Sequence, residues 1–273
     1  MPLYQAIVLA IIQGLTEFLP VSSTAHLTVI PQLLHWQDPG LSFDVALHLG
    51  TLAAVLIYFF RDWVQVILNG IGFSYRGAHP DENSRTLLWL LVAGTIPAGL
   101  AGFKFEKYAD EMWRTPYVIG AAMIILGILM WVADRVSTEK NGLDKMTWTD
   151  ALIVGFAQAL AIVPGVSRSG VTITAGRFRE FSREAAARFS FLLSTPIIAG
   201  AALKKGWDLH KTGLPADMRL PYLVGIVISG IVGLIVIAFF INYLRRHSLS
   251  VFVWYRIVFG IIVVALAFFR IGG

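Results

Sequence analysis

The chain has 273 residues, of which 56% are hydrophobic and only 14% are charged, and its mean hydropathy is +0.70. This composition, which includes no cysteine, excludes an ordinary soluble domain and thiolate chemistry and indicates a polytopic membrane protein. The net charge of +5 could suggest nucleic acid, but the Lys and Arg residues lie in short loops between apolar stretches, which indicates lipid headgroups and excludes a nucleic-acid partner.

Six stretches of the sequence are predicted to cross the membrane as helices, because each approaches the roughly 20 apolar residues that a bilayer requires. Two further stretches, residues 3–34 and 151–178, are long enough to cross but are broken midway by Pro, Gly and a cluster of hydroxyls. Irregular backbone at membrane depth survives only where protein buries it or it lines a cavity, so both are predicted to be re-entrant helical hairpins. The six predicted spans are residues 43–60, 87–105, 117–133, 186–203, 220–244 and 251–269.

The two hairpins share a pattern, since a Gln lies nine positions before a Ser in each, as Gln13 and Ser22 and again as Gln158 and Ser167. Each hairpin precedes three spans, and three crossings are an odd number, so the second hairpin is predicted to enter from the opposite face. This is an inverted-topology repeat, whose interrupted segments commonly meet at a site near the midplane. The fold class is therefore an all-α polytopic membrane protein with one domain over residues 1–273, whose repeats are about 1–135 and 150–273.

The first hairpin carries a carboxylate and an amide on one helix face. Gln13 and Glu17 are four positions apart, so an α-helix directs both side chains at one polar target. Such oxygen ligands suit a hard divalent cation, Mg²⁺ or Ca²⁺, that also binds water and substrate phosphate. The alternative is that Glu17 forms a buried structural ion pair with Arg168.

Polar residues also follow Pro20 in the turn of the first hairpin, where Ser22, Ser23, Thr24 and His26 lie within a few positions. Ionisable groups at membrane depth are costly and usually mark a functional site. Hydroxyls after a proline are also common helix N-caps, which is the alternative for any one of them. An imidazole three positions beyond Ser23, however, can serve as the general base for that hydroxyl.

The second hairpin combines a flexible backbone, hydroxyls and one guanidinium before a helix. The eight positions after Pro164 contain Ser167, Arg168, Ser169 and Thr172. Backbone N–H groups at a helix N-terminus favour an anion, and the guanidinium fork matches phosphate oxygens. The segment predicts a phosphate pocket, although it is not a P-loop, because no Gly-Lys-Ser/Thr follows the glycine spacing.

The two motifs together resemble those of the bacterial undecaprenyl-diphosphatase family, also known as bacitracin-resistance proteins. The motifs read Gln13-Gly-Leu-Thr-Glu-Phe-Leu-Pro-Val-Ser-Ser-Thr-Ala-His26 and Pro164-Gly-Val-Ser-Arg-Ser-Gly-Val-Thr172, and the likeness includes the run Phe43-Asp-Val-Ala-Leu-His-Leu-Gly-Thr51. The resemblance implies a multi-pass phosphatase of the bacterial inner membrane that removes one phosphate from a C55 polyprenyl diphosphate with a divalent cation. The implied partners are this lipid substrate and the bilayer, and a homodimer is left open.

The resemblance also implies roles for individual residues. Gln13 and Glu17 fall on the family's Glu/Gln-x-x-x-Glu motif, Ser23 and His26 on its serine and histidine, and Arg168 on its arginine. The amide at Gln13 leaves one carboxylate where some relatives have two. The predicted catalytic residues are Glu17, Ser23, His26 and Arg168, the phosphate-binding residues are Arg168, Ser167, Ser169, Thr172, Ser22 and Thr24, and the metal ligands are Glu17 and Gln13.

The mechanism predicted from these residues is attack by Ser23 on phosphorus, with His26 as its base and Arg168 holding the phosphate. Such catalysis is mostly positioning and charge neutralisation. One alternative is attack by a metal-bound water, with Ser23 as a hydrogen-bond donor. A second alternative is a transporter of a phosphorylated polyprenyl lipid, because many carriers have inverted repeats with broken helices.

Overall fold

A computed structural model describes residues 1–37, 40–75, 85–213 and 215–271. These residues form eleven α-helices and contain no strand longer than an isolated bridge. The helices are α1 (Leu3–Phe18), α2 (Ser23–Leu33), α3 (Leu41–Tyr58), α4 (Phe60–Gly70), α5 (Leu87–Glu111), α6 (Pro116–Val136), α7 (Trp148–Ala159), α8 (Arg168–Phe178), α9 (Arg183–Thr212), α10 (Ala216–Leu244) and α11 (Ser250–Ile271).

Six of these helices are long and apolar enough to cross a bilayer, which confirms the all-α polytopic fold and all six predicted spans. Their apolar windows lie in α3, α5, α6, α9, α10 and α11. The ends differ from the prediction most in α9, whose apolar stretch covers Arg183–Trp207. That helix begins earlier than hydropathy indicates because Ser182 accepts a hydrogen bond from the backbone N–H of Ala185 and so caps its first turn.

Helix α4 was not predicted, because its apolar residues do not form a continuous run. Val66 is fully buried, whereas Phe60 and Ile67 are exposed, so the helix has one face against the protein and a second apolar face outside. Asp62 anchors α4 to α9 through a 3.1 Å ion pair with Arg188. A short helix of this kind is typical of segments that lie along a membrane surface.

Both interrupted segments form helical hairpins, as predicted. The first consists of α1 and α2, and the second consists of α7, a 3₁₀ turn at Leu160–Ile162 and α8. The second hairpin begins at Trp148 rather than 151, because Thr147 and Asp150 form a reciprocal capping box at the start of α7. Re-entry from one side and the inverted topology of the two halves stay predictions.

Close backbone contacts position the hairpins against the spanning helices. Helix α1 packs against α10, and α7 packs against α5. A Cβ at Gly155 of α7 would overlap the carbonyl oxygen of Gly94 in α5, so glycine is required at this crossing. The core joins both halves of the chain, since the ring of Phe18 lies edge-on to that of Phe191 at 5.2 Å.

A buried arginine fixes the end of α8 that lies away from its turn. Arg177 is fully buried, and its Nε donates to Asp134 of α6 at 3.2 Å while Nη1 donates to the carbonyl of Phe181 at 2.7 Å. Arg183 donates to the same carboxylate at 2.7 Å. Because an unpaired buried charge would be costly, this network fixes α8 relative to α6 and α9.

Candidate active site

The carboxylate of Glu17 is the centre of a polar cluster at the end of α1. Its Oε1 accepts a 2.9 Å hydrogen bond from Arg168, and its Oε2 accepts from Ser23 at 2.8 Å and from Gln13 at 3.1 Å. The Nε2 atom of His48, in α3, lies 3.3 Å from the same Oε2. Glu17 is only 6% exposed, so its charge is balanced by these donors and not by bulk water.

Arg168 joins the two hairpins at this cluster. It is the first residue of α8, and its second guanidinium nitrogen donates to the carbonyl of Ser190 in α9 at 3.0 Å. The buried ion pair between Arg168 and Glu17, which the sequence allows as the structural alternative, is therefore formed. It is not sealed in a dry core, however, because both residues line a cavity.

This cavity has a volume of about 280 Å³ and is polar on one wall and apolar on the other. A larger cavity of about 600 Å³, between α5 and α9, shares residues such as Val45 and Ile162 with it and extends to Phe103 and Lys204. A charged recess therefore continues into an apolar groove between two spanning helices. The polar wall of the smaller cavity is formed by Glu17, Ser22, Ser23, Thr24, His48, Gln158, Ser167 and Arg168.

The two turns have the same local geometry. Ser22 and Ser167 are the N-caps of α2 and α8, and their hydroxyl oxygens accept from the backbone N–H groups of Ala25 at 3.4 Å and Gly170 at 3.1 Å. Both serines have positive φ, at 73° and 70°, which is strained for a residue with a side chain. Such strain is concentrated at functional sites. The shared geometry of the two turns places Ser23 and Arg168 at equivalent positions, as the first residues of their helices.

A single residue of α11 connects the two turns. Arg256 is fully buried and donates to the carbonyl oxygens of Pro20 at 3.1 Å, Gly165 at 2.9 Å and Val166 at 3.0 Å. Its Nε donates to the carbonyl of Met123 at 3.3 Å. The guanidinium thus fixes the distance between the turns that carry Ser23 and Arg168.

The predicted contact between His26 and Ser23 is not formed. The Nδ1–H of His26 donates to the carbonyl of Ser22 at 2.7 Å, and Nε2 accepts from the hydroxyl of Tyr255 at 2.6 Å. The ring also stacks on Phe259 at 4.5 Å. His26 faces α11 because Tyr255 and Phe259 of that helix pack against its ring, whereas Ser23 faces Glu17. The assignment of His26 as the base for Ser23 is therefore corrected, since Glu17 receives that hydrogen bond.

Two of the predicted phosphate-binding hydroxyls also point away from the cavity. Ser169 is fully buried and donates to the carbonyl of Leu19 at 3.1 Å, which holds the two turns together. Thr172 is 1% exposed and lies 2.7 Å from the hydroxyl of Ser190. These residues support the turn of the second hairpin, whereas Ser22, Thr24 and Ser167 do line the cavity.

The residues near Glu17 fit a divalent cation in one specific respect. The Oε1 atom of Gln13 is buried and has no hydrogen-bond partner in the described part of the chain, and an amide oxygen is a suitable ligand for Mg²⁺ or Ca²⁺. No group of three or more His, Asp or Glu side chains with metal-site geometry occurs within residues 1–37, 40–75, 85–213 and 215–271. A cation here would accordingly be held by few protein ligands.

Three residues at this site were given no role by the sequence. His48 lies in the run that resembles the family, and Gln158 was recognised only as the counterpart of Gln13. Arg256 lies within an apolar span, where a lone ionisable residue is the signal that could have identified it.

Comparison with known proteins identifies the group to which the chain is related. A family model described as bacitracin resistance protein BacA matches residues 6–262. The chain belongs to this family. It is 46% identical to an undecaprenyl-diphosphatase of Pelotomaculum thermopropionicum over 98% of this chain and 97% of the relative. It is 45% identical to one of Moorella thermoacetica over 99% and 100%, and 46% identical to one of Geotalea daltonii over the full length of both.

Proposed function

We propose that this protein is an integral membrane phosphatase that hydrolyses undecaprenyl (C55) diphosphate to undecaprenyl phosphate and inorganic phosphate. The observation that carries this proposal is that Glu17, Ser23 and Arg168 meet at hydrogen-bonding distance beside a cavity. The full-length similarity to relatives named undecaprenyl-diphosphatase supports it. In the bacterial cell this reaction recycles the lipid carrier of cell-wall synthesis and confers resistance to bacitracin.

Arg168 and the N-terminal ends of α2 and α8 bind the terminal phosphate. The guanidinium has a planar fork that matches phosphate oxygens, and backbone N–H groups at helix N-termini favour anions. Ser22, Thr24 and Ser167 line the same wall and add hydroxyl donors. Arg168 moves from Glu17 toward the phosphate as the substrate enters, so that its charge stays paired.

Ser23 is the nucleophile, and Glu17 accepts its proton. The Oγ of Ser23 forms a bond to the terminal phosphorus while the bond from phosphorus to the bridging oxygen breaks, which releases polyprenyl phosphate. When Arg168 turns to the phosphate, Glu17 loses part of its positive surroundings and becomes a stronger proton acceptor. Water then hydrolyses the phosphoserine. Direct attack by water, with Ser23 donating a hydrogen bond, is the alternative that trapping of a phosphoserine distinguishes.

A divalent cation, Mg²⁺ or Ca²⁺, would be held by Glu17 and Gln13. It would neutralise charge on the diphosphate when bound. The described residues would offer it one carboxylate, that of Glu17, and one unpaired amide oxygen, that of Gln13, so phosphate oxygens of the substrate would have to supply further ligands.

The polyprenyl tail lies in the apolar groove between α5 and α9. This groove adjoins the polar cavity and is lined mainly by small and apolar residues. A C55 chain can therefore remain in the bilayer while its headgroup reaches Ser23. Residence in the inner (plasma) membrane follows from this substrate, and a homodimer stays a prediction.

Release of phosphate from the purified full-length protein tests the function. The protein in detergent is supplied with C55 or C15 diphosphate, with Mg²⁺ or with a chelator, and inorganic phosphate is measured. Stoichiometric release that the chelator abolishes is the expected result. Absence of phosphate release, combined with movement of the intact lipid across vesicles that contain the protein, would instead establish the transporter.

A further inference from the structure

The amide of Gln158 is a buried polar group that lines the cavity and has no hydrogen-bond partner in the described residues. Gln158 lies in the last turns of α7 and is only 3% exposed. Neither its Oε1 nor its Nε2 has a hydrogen-bond partner within residues 1–37, 40–75, 85–213 and 215–271. The side chain lines the same 280 Å³ cavity as Arg168 and Ser167.

A buried amide without hydrogen-bond partners destabilises the folded protein when no ligand is bound. Folded proteins pair the great majority of their buried polar atoms, and an unpaired one requires an explanation. The neighbouring hydroxyl oxygens of Ser22 and Ser167 accept from backbone N–H groups, and the unpaired Oε1 of Gln13 belongs to the proposed cation site. A leucine would fill the position of Gln158 without an unpaired amide. Because this unpaired amide lines the cavity, it points to a ligand that supplies the missing partners.

We propose that Gln158 is a substrate-binding residue whose amide N–H groups donate to oxygens of the lipid diphosphate. This inference rests on the proposed function and adds a residue to its site. The wall of the second hairpin presents donors, namely the guanidinium of Arg168 and the hydroxyl of Ser167, whereas the carboxylate acceptor lies in the first hairpin. The amide of Gln158 adds hydrogen-bond donors to those of Arg168 and Ser167. Because the amide is neutral, it adds no second buried charge that would need a counterion.

The arrangement also explains how the site distinguishes a diphosphate from a monophosphate. Arg168 alone can bind one phosphate group through its fork. The amide of Gln158 adds donors for the further oxygens that a diphosphate presents. The product, polyprenyl phosphate, has one phosphate fewer and therefore makes fewer of these contacts. It is expected to bind more weakly than the substrate and so to be released.

The first test compares Gln158→Leu and Gln158→Glu with the wild-type full-length protein in detergent. Farnesyl diphosphate is the substrate, and Mg²⁺ is saturating. For Gln158→Leu we expect kcat/KM to fall about tenfold, mainly through KM, because binding donors are lost. Gln158→Glu keeps the shape but replaces donors with a negative charge, so its loss is larger. Gln158→Asn, which retains the amide, recovers part of the activity.

Thermal unfolding separates this role from a structural one. Without substrate, Gln158→Leu should unfold at the same temperature as the wild type or higher, because an unpaired buried amide has been removed. The matched control is Thr195→Val, since the Thr195 hydroxyl is also buried without a partner in the described residues but does not line the cavity. Thr195→Val should resemble Gln158→Leu in unfolding and the wild type in kinetics.

The proposal is overturned by any of three results. Kinetics of Gln158→Leu within about twofold of the wild type would show that the amide does not bind substrate. A change confined to the Mg²⁺ requirement would assign Gln158 to the cation instead. A lower unfolding temperature that accounts for the lost activity would make its role structural.

A separate binding measurement keeps this inference distinct from the proposed function. Methylenediphosphonate, which is not hydrolysed, should raise the unfolding temperature of the wild type but not that of Gln158→Leu. If the wild type releases no phosphate, the proposed function fails, and Gln158 is judged on this shift alone. An equal shift in both proteins would refute the role of Gln158 even if the wild type is an active phosphatase.

Discussion

The guanidinium of Arg168 donates to the carboxylate of Glu17 at 2.9 Å, although the two residues are 151 positions apart in the chain. Each comes from a different hairpin, and each is the principal charge of its own turn. Without substrate they neutralise each other. In the proposed mechanism, substrate binding exchanges one partner of Arg168, a carboxylate, for another, a phosphate, so the guanidinium itself stays paired.

Replacement of Arg168 by lysine should lower kcat/KM by more than about tenfold, which corresponds to roughly 1.4 kcal/mol of transition-state binding. Lysine keeps the charge but loses the fork that bonds Glu17 and Ser190 together. Phosphate release measures the effect. Arg245→Lys is the matched control, because Arg245 makes a similar paired contact with Glu184 but is exposed and does not line the cavity. Unchanged kinetics in Arg168→Lys would remove this residue from the phosphate site.

Double mutants should show that Ser23 cooperates with Glu17 and not with His26. Ser23→Ala and Glu17→Gln should each lose most of the activity, and the double mutant should be little worse than the worse single mutant, because groups that act as a unit are non-additive. His26→Ala acts through the turn that contains Ser22, so its loss should multiply with that of Ser23→Ala. If Ser23 and His26 prove non-additive while Ser23 and Glu17 multiply, the imidazole is the base after all.

His48→Ala should lower kcat/KM by roughly tenfold, because one of the partners of the Glu17 carboxylate is removed and charged hydrogen bonds contribute about 1.5–3 kcal/mol. The Nδ1–H of His48 donates to the carbonyl of Asp44 at 2.7 Å, so its Nε2 is directed at Glu17. His247→Ala is a close control, since His247 contacts the carbonyl of Tyr243 four positions earlier in the same manner but is exposed. Equal effects of the two substitutions would show that His48 has no specific role.

Gln13→Glu should reduce the Mg²⁺ concentration that gives half-maximal activity by roughly tenfold, because a second carboxylate strengthens a site for a hard cation. In chelator the same variant should unfold at a lower temperature, since two buried carboxylates repel each other and the hydrogen bond from Gln13 to Glu17 is lost. Gln5→Glu adds the same charge two turns earlier on α1 and should change neither the Mg²⁺ requirement nor kcat. An unchanged Mg²⁺ requirement in Gln13→Glu would place the cation elsewhere.

The spans and the two hairpins could be predicted from the sequence because the membrane imposes a length and an apolar composition on every crossing helix. The hairpins were identified by what is abnormal for a span, namely Pro20, Pro164 and the hydroxyls beside them. Helix α4 follows a different rule, since it has a buried face and an exposed apolar face, and hydropathy alone does not separate it from the preceding span.

The members of the site could also be predicted, but their orientations could not. Spacing along α2 permits His26 to approach Ser23, and only the packing of α11 decides that the imidazole bonds Tyr255 instead. Residue type predicts that the hydroxyls of Ser169 and Thr172 bind phosphate. In the structure they instead form hydrogen bonds with the carbonyl of Leu19 and the hydroxyl of Ser190, respectively. These outcomes depend on contacts between distant parts of the chain, which composition and local spacing do not contain.

Arg256, which joins the two turns, is made after both of them during synthesis of the chain. The carbonyls of Pro20 and Gly165, which it joins, precede it by 236 and 91 positions. Chains are synthesised from the N-terminus, so every reacting residue leaves the ribosome before the residue that sets the distance between the two turns. A nascent chain therefore carries Glu17, Ser23 and Arg168 into the bilayer without a finished site. The two turns are therefore joined only when α11, the last helix of the chain to be made, packs between them.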